Sequence, residues 1–315
     1  MKKYYVLLIL LISGSLWAGN SLTSAFEYLR TDFNPRTAAL GNAFTTLRGD
    51  VNGLFLNPAG MAYSENRHYA FNYTSYLLDI NAGVAAYSQR VEGVGILSAA
   101  ITYVDYGEFK ETDEFARETG QSFSPLDFAL TLSWADRFEK NFSYGVNLKY
   151  AFSKIQDYNA SALALDLGLI WESTFQKDLF FAFSLLNVGS NLEYYANTQE
   201  DLPLSMRIGV SKILEHLPLE IGFSFTNFNL DADSFTDRLK RFSIGGEFRL
   251  SESLRLRLGY DNQLHSDLKA LEESEFGGLS GGLGIYVKSF RFDYSYSNYN
   301  LLGNTHRFGL TGVID

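Results

Sequence analysis

Arginines, lysines and carboxylates set at every second position of apolar stretches are the residues of this sequence best equipped for chemistry. Lys149, Asp166, Arg207, Arg241, Glu247, Arg249, Arg255, Arg257, Arg291, Asp293 and Arg307 stand this way, with Glu220 and Asp261 among them. Guanidinium and carboxylate groups make paired, charge-assisted hydrogen bonds. Gathered on one surface, the set is expected to form an ion-pair network that holds another segment in place. The alternative is a path or pocket for an anionic group. Nothing else has the spacing of a reaction centre. His68, His216, His265 and His306 are scattered, cysteine is absent, and no phosphate-binding loop, dinucleotide fingerprint or nucleophile elbow occurs. Asp113-Glu114 and Glu272-Glu273 fall in expected loops and read as solvated acidic tips rather than a divalent-cation site. Asp231-Ala232-Asp233 lacks the glycine and the distal glutamate of a calcium loop. No enzymatic activity, cofactor or metal is expected.

The elements that must carry these charges are strands. Phe142, Tyr144, Val146, Leu148, Tyr150 and Phe152 alternate with small or polar residues, and a helix would scatter both sets around its axis. The same period of two marks 128–134, 163–171, 219–225 and 290–296. Strands are expected near 67–76, 80–90, 93–105, 124–138, 141–155, 158–172, 179–190, 202–213, 217–229, 238–250, 253–262, 275–288, 289–299 and 303–313, about fourteen in all, as in an outer-membrane barrel. Connection lengths alternate too. Short turns at 91–92, 139–140, 173–178, 214–216, 251–252 and 288–289 share one end. Long connections at 106–123, 191–201, 230–237 and 263–274 share the other with short hairpins at 77–79, 156–157 and 300–302, which is the asymmetry of periplasmic turns and extracellular loops and places both termini in the periplasm. The apolar set is almost free of charge. Since an arginine facing midplane lipid costs about 2–4 kcal/mol, the charged set is assigned to the lumen.

Composition agrees with this picture. The chain has 315 residues, 46% hydrophobic and 16% aromatic, with a mean hydropathy of −0.08. That value excludes a polytopic helical membrane protein but not a barrel, whose lumenal residues dilute the apolar ones. A net charge of −10 argues against nucleic acid as a partner. Residues 1–18, a basic start, an apolar run and a small residue before cleavage, read as a secretory signal. Residues 19–66 are left as a plug and 67–315 as a transmembrane β-barrel, an all-β fold.

The plug is the one long stretch without strand alternation. A short helix is expected at 37–47, packed by Ala38, Ala39, Leu40, Ala43, Phe44 and Leu47 and interrupted at Gly41. Asn57-Pro58-Ala59-Gly60 reads as a turn, in which Pro58 fixes φ and Gly60 admits a positive φ. Two pieces of this segment, Arg36-Thr37-Ala38-Ala39-Leu40-Gly41-Asn42-Ala43-Phe44 and Asn57-Pro58-Ala59-Gly60, resemble the N-terminal signature of the PorV/PorQ family, relatives of FadL-type outer-membrane channels. Further segments, Tyr76-Leu77-Leu78-Asp79-Ile80, Tyr106-Gly107-Glu108-Phe109 and Leu202-Pro203-Leu204, resemble the PorQ branch. The resemblance implies a FadL-like barrel in the outer membrane of a Gram-negative bacterium, serving the type IX secretion system beside PorV-, PorU- and PorZ-like partners. Docking would use the outer loops, with Glu108, Phe109, Asp113, Glu114, Glu272 and Glu273 as candidates. A channel for hydrophobic small molecules is the alternative that the FadL relationship implies.

Overall fold

A computed structural model describes residues 26–195, 201–230, 234–271 and 276–314. Fourteen antiparallel strands form a closed barrel: β1 (Arg67–Ser75), β2 (Asn81–Val91), β3 (Gly95–Asp105), β6 (Leu126–Glu139), β7 (Phe142–Ile155), β8 (Tyr158–Glu172), β9 (Leu179–Glu193), β10 (Ser205–Ile213), β11 (Leu219–Phe225), β12 (Phe242–Arg249), β13 (Leu254–Asp261), β14 (Leu279–Val287), β15 (Phe290–Asn298) and β16 (Asn304–Ile314). β1 pairs with both β2 and β16, which removes the sheet edges. Two further strands, β4 (Phe109–Thr112) and β5 (Glu118–Phe123), make a separate hairpin between β3 and β6.

Side-chain polarity fixes the register. Leu258 is 57% exposed and Phe292 50% on the outside, whereas Asn147, Asp166, Arg257 and Ser295 on the inside are 0% exposed. A slip of one residue would exchange the two sets, and every lumenal charge would face hydrocarbon. Among the described residues, no helix is long and apolar enough to cross a membrane.

Residues 92–94, 140–141, 173–178, 214–218, 250–253 and 288–289 are turns at one end, and the long loops stand at the other together with short hairpins at 76–80, 156–157 and 299–303. The loops hold more structure than alternation reveals. β4 and β5 occupy 106–123, and α2 (Phe235–Leu239) lies where the strand beginning at 238 was expected. α3 (Asn262–Leu271) replaces the expected loop at 263–274, and β14 starts at Leu279 rather than 275. β4, β5 and α2 are too short or too exposed to carry a periodic apolar face, whereas α3 does space Leu264, Leu268 and Leu271 at helical intervals among polar residues.

Residues 26–63 fill the lumen from the long-loop end to the short-turn end. Phe26, Tyr28 and Phe33 pack among small wall residues including Ala82, Ala129, Ala151 and Ala162, while Val51, Leu54 and Met61 meet Ala70, Ala86, Ile96 and Ala135. Small inward residues leave the room that the plug occupies. Its helix is shorter than expected, α1 (Pro35–Ala39), not 37–47. Gly41 and Asn42 both take left-handed backbone, at φ 61° and 60°, which ends the helical turn. A Cβ at Gly41 would lie 2.7 Å from the Tyr260 nitrogen, so only glycine fits against β13. Gly60 corrects the other expectation. It sits inside a 3₁₀ turn, Pro58–Tyr63, without a positive φ, and is glycine because the Leu47 carbonyl leaves no space for a side chain.

Candidate functional site: the lumenal lock

Two plug residues and four wall residues close an ionic circuit. Asn34 accepts the Arg36 N–H and caps α1, with Pro35 at its first position, so Arg36 leaves the first turn at a set angle. Asp50 caps the 3₁₀ turn Val51–Phe55 through Oδ1, which accepts the Asn52 N–H at 3.1 Å and frees Oδ2 for arginine. On the wall, Glu247 of β12 and Arg257 of β13 are direct cross-strand partners, and Arg291 and Asp293 point inward from β15.

The circuit runs through six ion pairs. Arg36 forks onto Glu247, with Nη2–Oε1 2.9 Å and Nε–Oε2 3.0 Å. Glu247 Oε2 also accepts Arg257 Nε at 2.5 Å, and Arg257 Nη1 reaches Asp293 Oδ1 at 2.6 Å. Asp293 Oδ2 accepts Arg291 Nε at 2.6 Å. Arg291 Nη2 then meets Asp50 Oδ2 at 2.8 Å, which accepts Arg36 Nη1 at the same distance. Three guanidiniums and three carboxylates thus each touch two groups of opposite sign. Burial alone would raise the Asp50 carboxyl, but Arg291 and Arg36 hold it well below the ordinary carboxylate range. Burial alone would likewise lower Arg36, and Glu247 and Asp50 instead keep it firmly charged. With every charge matched, the arrangement clamps; it offers no nucleophile and no free acid.

Other wall groups satisfy the plug backbone. Arg207 donates to the Asn42 carbonyl at 2.7 Å, Arg307 to Asp32 at 2.9 Å, and Ser184 to Leu56 at 2.8 Å. Arg48 of the plug pairs with Glu220 at 2.7 Å. Asn57 caps its own turn and sends Nδ2 outward to the Leu169 and Phe183 carbonyls at 3.1 and 3.3 Å, while Pro58 and Ala59 press on the wall at Gly145 and Gly168. Ala39 and Leu40 lie against Gly282 and Gly245. Within the Gly277–Gly284 stretch the inward glycines therefore make close-packing room. Lys149 and Asp166 form a separate buried pair at 2.8 Å. Opposite Asp166 the ladder shifts, so that two residues, Leu186 and Asn187, face one; Asn187, at φ 62°, turns inward and donates to Asp166.

Besides Lys149, Asp166, Arg207, Glu220, Asp261 and Arg307, three more of the expected lumenal charges stay outside the circuit. Arg241 donates to the Asn227 and Leu230 carbonyls at the long-loop end. Arg249 and Arg255 face each other across β12 and β13 at the opposite rim, Arg249 exposed and Arg255 bonded to the Ser251 carbonyl. Conversely, Asp50, Arg48 and Ser184 were missed. Asp50 alone carried a signal, the Asp-x-Asn spacing of a cap. Of the outer-loop candidates, Glu108 bonds Ser122 within the hairpin, Phe109 stacks on Phe123 at 5.9 Å, and Asp113 and Glu114 form its tip. Glu272 and Glu273, the Asp231-Ala232-Asp233 motif and the signal segment lie outside the described residues.

Comparison with known proteins places this architecture. It is similar to the toluene transporter TbuX of Ralstonia pickettii, at 12% identity over 90% of this chain and 98% of that chain with a TM-score of 0.61. It is similar also to the toluene transporter TodX of Pseudomonas putida, at 9% identity, 88% and 95% coverage and a TM-score of 0.57. A Pseudomonas aeruginosa FadL homologue matches at 12% identity, 90% and 98% coverage and a TM-score of 0.50. At such identities the likeness establishes the FadL-like fold. Among curated proteins no sequence matches. The family model of type IX secretion system protein PorV matches residues 18–216, a span covering the plug and the first half of the barrel wall. With the greater part of its length matched, this outer-membrane β-barrel belongs to the PorV family of the type IX secretion system.

Proposed function

We propose that the barrel is a docking platform in the outer membrane, holding PorV-, PorU- or PorZ-like components of the type IX secretion system at the cell surface while the plug, described from Phe26 onward, keeps its lumen shut. The observation that carries this reading is the β4–β5 hairpin. It stands apart from the barrel sheet at the long-loop end and presents Phe115 at its tip, 69% exposed. Asp113 stiffens that tip. Its Oδ1 accepts the N–H of Phe115 at 2.9 Å and of Arg117 at 3.0 Å, and Arg117 pairs with Oδ2 at 2.8 Å. An aromatic anchor on an already ordered hairpin loses little entropy on binding, which is what a hot spot needs. In this orientation the short turns and the end of β16 at Ile314 face the periplasm, and the described part of the plug begins at Phe26 at the long-loop end.

The test replaces residues 109–122 with a short turn and measures what co-purifies from native membranes. The expected result is a folded, heat-modifiable barrel that no longer brings its partners; unchanged co-purification sinks the proposal. The fold shared with toluene transporters supports a second reading, passage of hydrophobic small molecules, which requires uptake of such a compound by the intact protein.

A further inference from the structure

Beyond docking, the lumen holds a cavity of about 200 Å³ between the plug segment 28–34, the wall and α3. It is roomy enough for several waters or one small organic molecule. Tyr28, Phe33, Phe55 and Leu264 line one part of it; Arg207, Asp32, Asp261 and Asp267 line another. Asp267 is exposed on α3, so the cavity opens beside that helix toward the long-loop end.

These charges are arranged unlike those of the lock. Arg207 is 8% exposed. Its Nη2 goes to the Asn42 carbonyl and its Nε to Thr45 Oγ1, leaving Nη1 with no partner among the described residues. It feels the charges of Asp32 and Asp261 yet makes no ion pair with either. Asp32 Oδ1 accepts the Asn34 N–H at 2.9 Å, and Oδ2 is buried without a hydrogen-bond partner among the described residues. The Asn34 side chain, 3% exposed, has an unpartnered Nδ2, and Asn42 Oδ1 is unpartnered too. Asp261 caps α3 through the Leu264 N–H at 3.1 Å. The two cations that also line the space are already neutralised: Arg30 by Glu27 and Lys149 by Asp166. What faces the cavity is therefore the Arg207 guanidinium with Nη1 unpartnered, the unpartnered Nε of Arg30, and carboxylates with which Arg207 makes no ion pair.

A hydrocarbon there would strand each of these groups without a partner. A simple anion would meet the carboxylates, and a simple cation would leave Arg207 unmatched. We propose that the cavity binds a small zwitterion of amino-acid size, its carboxylate on Arg207 and its ammonium group between Asp32 and Asp261.

Calorimetric titration of the full-length barrel in detergent tests this, with L-alanine and L-leucine as zwitterions, acetate and ethylammonium as the separate halves, and toluene as the hydrocarbon. Saturable binding of a zwitterion is expected, roughly tenfold weaker or worse for either half, and a loss of about the same size in Arg207→Gln and Asp32→Asn. Arg207 also supports the plug, so the isosteric Asp32→Asn variant, checked for heat-modifiability, keeps the test valid should Arg207→Gln fail to fold. Absence of zwitterion binding, equal binding by the folded variants, or tighter binding of toluene that ignores Asp32→Asn would each overturn the proposal. None of these results bears on hairpin docking.

Discussion

The lumen contains two groups of charges built from the same residue types and used in opposite ways. In the lock between α1, β12, β13 and β15, three arginines and three carboxylates are in contact, and each neutralises two neighbours. Around Arg207, charges of both signs share a cavity without touching. Matched charges in contact hold parts together, whereas unmatched charges across a gap are left for a visitor. The difference is one of distance and stoichiometry, which residue type does not disclose.

Breaking the lock should have the largest effect. Asp50→Ala leaves Arg36 and Arg291 facing each other in a buried site, and removing one partner of such a network costs about 3–5 kcal/mol. A lower denaturant midpoint and raised conductance in planar bilayers, from a plug that no longer seats, are the expected readings. Lys149→Met should be comparably harmful, because Asp166 is then buried unpaired. The double replacement Lys149→Met with Asp166→Leu should recover most of that loss, since a buried pair exchanged for apolar residues is often neutral. If the double variant is as unstable as the single one, the pair has a role beyond mutual neutralisation.

Acid should loosen the lock only at low pH. The folded-state value of Asp50 is depressed, so its contribution is fully present above the ordinary carboxylate range near about 4 and declines as pH falls below it. Conductance should accordingly be flat from neutral pH to about pH 5 and rise only below about pH 4. A rise near pH 6 would mean that a different group controls the plug. Two small effects sharpen the contrast with the surface. Phe115→Ser should leave stability within about 0.5 kcal/mol while weakening partner capture, and Arg249→Ala, on an exposed rim residue outside the circuit, should change neither.

Much of the barrel was legible because lipid imposes a period of two that helices cannot imitate. Leu148 beside Lys149 and Leu258 beside Arg257 declare which face is which. α3 did carry a signal, Leu264 and Leu268 one turn apart, and is fastened by the Asp261 cap and by Leu268 tucked beneath it. The hairpin was not legible, since it buries no periodic apolar face. Nor was the exclusion of Arg249 and Arg255 from a circuit that takes Arg257. All three share the alternation, and only depth along the barrel separates them.

Alternation, polarity of the two faces and the alternating lengths of connections belong to the sequence alone, because each is a local consequence of strands that have lipid on one side. Tertiary structure decided which charges meet. Arg36 and Glu247 are 211 positions apart, and Asp50 and Arg291 are 241. Only closure of the sheet around the plug brings them within hydrogen-bonding reach, and the same closure sets Arg207 on one cavity with Asp32 and Asp261 while pairing it with neither.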